Sequence, residues 1–388
     1  TPPANAFVPE GELGAEQDVY PLDVYFCEDC AHVQLLDVVD PEVLFGNYVY
    51  VSGTSPVFIQ HFKSYAEAIV SAYAPAPDGA LALDIGSNDG TLLKQFQDLG
   101  MNVLGVDPAR DISVAATAAG IETLATFFSR DLAGEIRAKH GLAKVVTANN
   151  VFAHADDLSD ITLGICELLS PDGVFVFEVS YLVDVFEDTL FDTIYHEHLR
   201  YYHLSSLIRL FSLNNLEVFH AKKIPTHGGS IRVYACRKGA FKKTKSLKKI
   251  IEQEKKSGIN GMKIYESFKK KVIESKYKLL TILIELRKKQ KKVFAVGAPS
   301  RASTLINYSG IDKDLVECIL EVSGSNKLNK YLPGTLIPVV DEKIIIKNSP
   351  DYLLILSWHI KDELIKVFRK KKFKGKFIIP LPTPRIID

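Results

Sequence analysis

Residues Leu83 to Gly90 read Leu-Asp-Ile-Gly-Ser-Asn-Asp-Gly, and they constrain the fold more than any other stretch of the chain. An apolar run, Ala80 to Leu83, leads into them, and Thr91-Leu92-Leu93-Lys94-Gln95-Phe96 follows as a helix start. Strand, glycine-bearing turn and helix, in that order, form the first unit of an open α/β sheet, and the turn is a place to bind a nucleotide-like cofactor. Glycines let the backbone approach a ligand closely, and a helix N-terminus points free N–H groups at it. The next apolar run ends in an acid, Val103-Leu104-Gly105-Val106-Asp107, suited to hold ribose hydroxyls.

Glycine spacing selects the cofactor. A dinucleotide turn reads G-x-G-x-x-G, whereas here Gly86 and Gly90 stand four apart with Asp89 between them. A carboxylate in the loop repels a pyrophosphate and suits a cationic adenosine ligand. The segment resembles motif I of the class I S-adenosylmethionine-dependent methyltransferases. That resemblance implies S-adenosylmethionine as cofactor, held by Asp84, Gly86, Ser87, Asn88, Asp89 and Gly90, with Asp107 as the acid ending the second strand. Asn149, in Asn149-Asn150-Val151-Phe152-Ala153-His154, resembles the motif lining the methionine end of the cofactor, with His154 read as structural.

At 388 residues the chain exceeds one ordinary core, so two or three domains are expected. The apolar content of 47% is that of a globular protein, and no apolar run reaches the roughly 18 residues of a membrane span, so no membrane partner is expected. The chain starts at Thr1 without Met, as a processed, trimmed or partial chain does. Its five cysteines do not suggest a disulfide framework, which points to the reducing cytoplasm. Net charge is zero, yet residues 1–200 carry 8 Lys+Arg against 31 Asp+Glu, and residues 201–388 carry 39 against 16. Lysine rises together with Ile and Asn while Ala falls, and the break lies inside the methyltransferase-like region. A codon bias, or the joining of two related sequences, leaves such a break. It is read as a solvated basic face, and no nucleic-acid partner is expected.

The order of elements predicts a doubly wound α/β sheet flanked by two smaller lobes. Strands are expected at 80–85, 102–107, 144–148 and 173–178, with helices at 91–99, 112–119, 129–139 and 156–169. Two late strands, Leu216 to Phe219 and Ser230 to Ala235, fit the closing pair of a class I methyltransferase sheet, one of them antiparallel. The expected domains are a partial zinc-type lobe over 1–60, the methyltransferase domain over 61–238, a helical connector over 239–290 and a Rossmann-like lobe over 291–388. The last opens with Val293-Phe294-Ala295-Val296-Gly297-Ala298-Pro299.

Methylating carbon requires a base, because a C–H proton must leave. The densest base-bearing segment runs from Phe191 to His203 and holds Tyr195-His196-Glu197-His198, after the strand ending at Ser180. His198 suits proton abstraction near neutrality, Glu197 is expected to orient or charge-stabilise the imidazole, and Tyr195 to hydrogen-bond an enolate oxygen. A metal site from His196, His198 and His203 is a rival reading, since i, i+2 histidines need a strand or loop to converge.

Together, a Cys27-Glu28-Asp29-Cys30 lobe, the Asp84 to Gly90 loop, the Tyr195 to His198 segment and Gly297-Ala298-Pro299-Ser300-Arg301 resemble the nucleotide-sugar C-methyltransferase family. Supporting segments are Pro3 to Phe7, Asn47 to Ser52, Tyr331 to Pro338 and Ser357-Trp358-His359. The resemblance spans nearly the whole chain. It implies C-methylation of a nucleotide-linked 4-keto deoxysugar at C3, with His198 as base and Tyr195 and Glu197 in the same motif. Tyr48, Tyr50 and Ser52 would reach the sugar, while Arg301, with Lys330 and Tyr331, would hold the diphosphate. The family's N-terminal lobe binds structural zinc through two Cys pairs. Only Cys27 and Cys30 are present, so the site is incomplete and the missing pair would precede Thr1. A monomer or homodimer is expected. The rival functions are an O- or N-methyltransferase on a small metabolite and a non-catalytic nucleotide-sugar binding module.

Overall fold

The computed structural model describes residues 1–45 and 56–388. The N-terminal segment carries β1 (Val8–Pro9), β2 (Val24–Phe26) and β3 (Val33–Leu35). The middle of the chain carries β4 (Leu81–Ile85), β5 (Asn102–Val106), β6 (Thr123–Leu124), β7 (Ala143–Asn149), β8 (Leu169–Ser180), β9 (Arg200–Tyr201), β10 (Leu216–Ile224) and β11 (Ser230–Arg237). The C-terminal lobe carries β12 (Val293–Val296), β13 (Ile319–Glu321), β14 (Lys330–Tyr331), β15 (Pro338–Asp341), β16 (Tyr352–Ile355), β17 (Lys376–Ile379) and β18 (Arg385–Ile387).

The central sheet runs β10-β11-β8-β7-β4-β5-β6. Strands β4 to β8 are parallel, and β11 is antiparallel to both β8 and β10, which is the closing pair expected from the sequence. All five residues of β4 are buried, as a parallel strand covered on both faces must be. Alternation along β8 sends Val174 and Val176 to one face, under Tyr65, Ile69 and Phe96 of the covering helices. Phe175 and Phe177 go to the other, where they pack with Phe152 and Phe211, ring centroids 5.0–6.1 Å apart. Helix starts are marked by side-chain caps: Ser129 accepts from Leu132 N–H, Asp157 from Asp160 N–H and Thr244 from Leu247 N–H. From β4 the chain adds β5 and β6 on one side and β7 and β8 on the other. This reversal opens a crevice beyond the C-terminal ends of β4 and β7, where doubly wound sheets bind ligands.

The C-terminal sheet runs β1-β14-β15-β13-β12-β16-β17-β18, with β15, β13, β12, β16 and β17 parallel. Its own reversal lies at β12, so the Gly297-Ala298-Pro299 turn and the helix Ser300–Ser309 that follows it open on a second crevice. Between the two sheets lie the helices Lys245–Ser257 and Met262–Lys288, separated at Gly258 (φ +72°). Both helices fall within residues 239–290, where a helical connector was expected.

The sheets interleave the chain. Strand β1, from the N-terminal segment, pairs with β14 of the C-terminal sheet. Strand β9, from the methyltransferase region, completes a three-stranded sheet with β2 and β3. No described helix is long and apolar enough to cross a membrane.

Candidate active site

Three left-handed residues shape the turn after β4: Gly86 (φ +67°), Asn88 (φ +50°) and Gly90 (φ +75°). A Cβ on Gly86 would collide with the Val151 side chain, and one on Gly90 would lie 2.9 Å from Ile121 Cγ2. The Gly86 N–H donates to the Val106 carbonyl at 2.7 Å, which ties the loop to β5. Asp89 Oδ1 accepts from the Thr91 hydroxyl (2.7 Å) and N–H (3.2 Å), holding the first turn of the next helix. Asp107 accepts from Asn88 N–H at 2.8 Å and from Ala109 N–H at 2.9 Å, one on each carboxylate oxygen. Burial raises its pKa against these two bonds. Each oxygen keeps a second lone pair, so a fixed carboxylate faces the crevice.

Asp84 lies below the loop and accepts from the Thr147 hydroxyl at 2.6 Å. Burial pushes its carboxyl up to about 7, and Thr147 pulls it back. The loop's acids are thus engaged with the protein's own groups. Ser87 Oγ and both amide atoms of Asn149, by contrast, are buried without a hydrogen-bond partner. Such groups cost about 1–3 kcal/mol each unless something meets them. A glycine cradle, a fixed acid and an unsatisfied amide at the neighbouring strand end fit S-adenosylmethionine.

The base segment follows a 3-10 turn, Phe191–Thr193. His198 Nδ1–H donates to the Thr193 carbonyl at 2.8 Å, and the Tyr195 hydroxyl lies 2.8 Å from Nε2. A carbonyl only accepts, so Nδ1 carries a proton; in the neutral imidazole Nε2 then bears the lone pair and accepts from Tyr195 O–H. Tyr195 and His198 also pack ring on ring, centroids 4.0 Å apart. The ring of His154 lies 5.2 Å from that of His198, and its Nδ1–H donates to the Glu197 carbonyl at 2.6 Å. Burial lowers His154 to about 4, so it stays neutral. The sequence reading made His154 structural, and the fold packs its ring beside that of His198.

Glu197 departs from its expected role. The imidazole of His198 is oriented by Thr193 and Tyr195, while the Glu197 carboxylate turns to Asn5, whose Nδ2 donates to it at 2.6 Å. The reason is backbone geometry: adjacent side chains in this loop leave on different sides. Burial lifts Glu197 to about 7, with Asn5 and Lys327 pulling it back. It lines a cleft of about 200 Å³ with Asn5, Phe7, Lys327 and Lys330. Asn5 Oδ1 accepts from the Ser300 hydroxyl at 3.1 Å, so one asparagine joins the three lobes at the second crevice.

Of the expected substrate residues, Lys330 borders this cleft, while Tyr331 sits in β14 opposite Val8. Arg301 reaches inward: Nη1 lies 4.0 Å from Asp192 Oδ1, and Nη2 donates to Thr193 Oγ1 at 3.5 Å. Tyr48, Tyr50 and Ser52 lie outside the described residues. Sequence reasoning assigned no role to Asn5, Asp192, Thr193 or Lys327, although Asn5 lies in the Pro3 to Phe7 segment and Asp192 and Thr193 in the Phe191 to His203 segment.

The three histidines proposed as a rival metal site diverge. His196 reaches the Tyr20 carbonyl (3.3 Å), His203 the Ala31 carbonyl (2.8 Å) and His198 the Thr193 carbonyl. Cys27 and Cys30 occupy the turn between β2 and β3, and hydrogen bonding from Cys30 lowers the Cys27 thiol. Among the described residues no group of three or more His, Cys, Asp or Glu could hold a metal ion. Two thiols leave a tetrahedral zinc half-built, so the residues present do not fit it.

Three family models match in succession: a putative zinc binding domain over residues 1–45, a methyltransferase domain over 58–221 and a C-methyltransferase C-terminal domain over 225–382. The C-methyltransferase NovU of Streptomyces niveus is 33% identical over 392 residues, covering 100% of this chain and 92% of that protein. Solved structures overlap it weakly. A magnesium protoporphyrin IX methyltransferase from Synechocystis with bound SAH covers 46% of this chain and 83% of its own, at 17% identity and TM-score 0.35. An S-adenosylmethionine-dependent methyltransferase from Clostridium acetobutylicum covers 46% and 92%, at 12% identity and TM-score 0.37. With a relative matching from end to end and family models following one another along the chain, the protein belongs to the S-adenosylmethionine-dependent C-methyltransferase family.

Proposed function

We propose that the chain methylates a carbon, C3, of a nucleotide-linked 4-keto deoxysugar, with His198 as the base. The observation that carries the reading is the protonation geometry of His198: Nδ1–H spent on the Thr193 carbonyl, Nε2 bearing the lone pair. A neutral imidazole fixed in that tautomer is what abstraction of a C–H proton needs, and a hydrogen beside a ketone is acidic enough to be taken. When bound, the cofactor supplies an electrophilic methyl group. His198 Nε2 accepts the C3 proton, and the electron pair left on carbon delocalises onto the keto oxygen. The Tyr195 hydroxyl, on Nε2 at rest, turns to that oxygen and stabilises its charge. Asp107 and Asn149 hold the cofactor, and the Gly86 to Gly90 backbone sets its distance from the base.

Glu197 is close to half-ionised at neutrality and is held by Asn5. It serves as a hydrogen-bonding group for the sugar at the cleft wall. Lys330 and Lys327 on the same cleft favour the negative diphosphate, with Arg301 supporting the loop behind them. Tyr48, Tyr50 and Ser52 complete the sugar contacts in this reading. The likeness to NovU supports methylation at carbon.

Mass spectrometry of products from a panel of dTDP-4-keto sugars, with a labelled methyl donor, tests the assignment. One labelled methyl on the sugar ring is expected. Label on oxygen or nitrogen, or on no member of the panel, contradicts it.

A further inference from the structure

Resting on the base assignment just proposed, we infer that Trp358, Asp192 and Arg301 are positioning residues by which the C-terminal lobe holds His198 in its Nδ1–H tautomer. The carbonyl that accepts from His198 belongs to Thr193, at the end of the Phe191–Thr193 turn. That turn is buried throughout, Asp192 and Thr193 completely. It belongs to the methyltransferase region by sequence, and apart from His198 Nδ1, 3.3 Å from Thr193 Oγ1, the hydrogen-bonding partners of its side chains come from the other lobe. Trp358 Nε1–H donates to Asp192 Oδ2 at 2.7 Å. Arg301 reaches both Asp192 Oδ1 and Thr193 Oγ1. The Thr304 hydroxyl donates to the Ile194 carbonyl at 2.6 Å, and the Phe191 ring packs 5.3 Å from that of Tyr308.

These contacts originate at the second crevice. Arg301, Thr304 and Tyr308 lie on or beside the helix that starts after the Gly297 turn, and Trp358 follows β16, the neighbour of β12. A ligand seated at that crevice therefore touches elements that fix the acceptor of His198 Nδ1–H. If the Thr193 carbonyl moves away, the imidazole proton is free to settle on Nε2 and donate to Tyr195, and the base loses its lone pair. Burying the Asp192 carboxylate, with Oδ1 short of a hydrogen-bond partner, is a costly way merely to glue two lobes together. Control over a catalytic tautomer accounts for its place there.

The test is nitrogen NMR of the full chain labelled at histidine, with S-adenosylhomocysteine bound, for wild type, Trp358→Phe, Asp192→Ala and Asp192→Asn. Wild-type His198 is expected to carry its proton on Nδ1. Trp358→Phe and Asp192→Ala should mix the tautomers and lower kcat on the order of tenfold to a hundredfold, leaving KM for the cofactor unchanged. Asp192→Asn keeps an oxygen for the Trp358 N–H and should recover most of the loss. Calorimetric binding of S-adenosylhomocysteine reports that each variant is folded. An Nδ1–H tautomer and kcat both unchanged in folded Trp358→Phe and Asp192→Ala would overturn the inference, as would a wild-type proton on Nε2. The tautomer readout needs no sugar, so a wild-type enzyme that fails to methylate carbon is told apart as a failure of the base assignment itself.

Discussion

At the scale of the residue, the decisive facts are where protons sit. His198 was legible in the sequence as a candidate base because its segment follows the strand that ends at Ser180, whose C-terminal end faces the expected crevice. Its tautomer was not, because that depends on a carbonyl fixed by side chains over 100 residues away. Glu197 was legible as part of the site but assigned to the wrong neighbour, since its partner Asn5 lies 192 residues earlier. Its raised pKa has a consequence for stability. Below the ordinary value of 4.5 both folded and unfolded chains hold the proton. Between 4.5 and about 7 the unfolded chain releases it while the folded one keeps it. The folded state therefore loses stability as pH rises through that window, by at most about 1.4 kcal/mol per pH unit, and the loss levels off above it. Glu197→Gln should remove this slope. Denaturant unfolding of both proteins at pH 5 and pH 7.5 should show the variant gaining on wild type at the higher pH; parallel behaviour would mean that the carboxyl ionises freely in its cleft.

At the scale of the element, the parallel strands of the methyltransferase sheet were readable from apolar runs bounded by glycine and acid. Those expected at 80–85 and 102–107 appear as Leu81–Ile85 and Asn102–Val106. Most of the two- and three-residue strands, β1, β2, β3, β6, β9, β14 and β18, were not. Pieces that short carry no periodicity, and only their distant partners make them strands. The turn from Gly86 to Gly90 was legible as a glycine-bearing turn after a strand, and the structure adds which side chains its glycines approach. Gly86→Ala must both adopt a left-handed backbone and push aside Val151. It is expected to cost about 2–4 kcal/mol of stability from the two effects together. Affinity for S-adenosylhomocysteine should fall with it. Adding Val151→Ala relieves the collision but not the backbone, so the double variant should recover part of the loss. Full recovery would show that the positive φ is unimportant.

At the scale of the whole molecule, the lobes were legible as a succession but not as an interleaved assembly. Strand β1 is lent to the C-terminal sheet, β9 to the N-terminal one, and Asn5 joins Glu197 to Ser300. Shared strands couple the lobes, so thermal unfolding followed by calorimetry should give one cooperative transition that rises with S-adenosylhomocysteine. Two separable transitions would show lobes that fold independently. On the function proposed above, this arrangement would set two crevices against one base, a cofactor at the first and a sugar at the second, and the central claim is that His198 takes a proton from carbon between them. That claim is tested most directly by incubating a 4-keto sugar substrate with the enzyme in deuterated water, without methyl donor, and following the hydrogen at C3 by NMR. Wild type should exchange it for deuterium and His198→Asn should not, while both bind S-adenosylhomocysteine equally. Equal exchange by the two proteins, or none by wild type on a sugar that it methylates, would contradict the account.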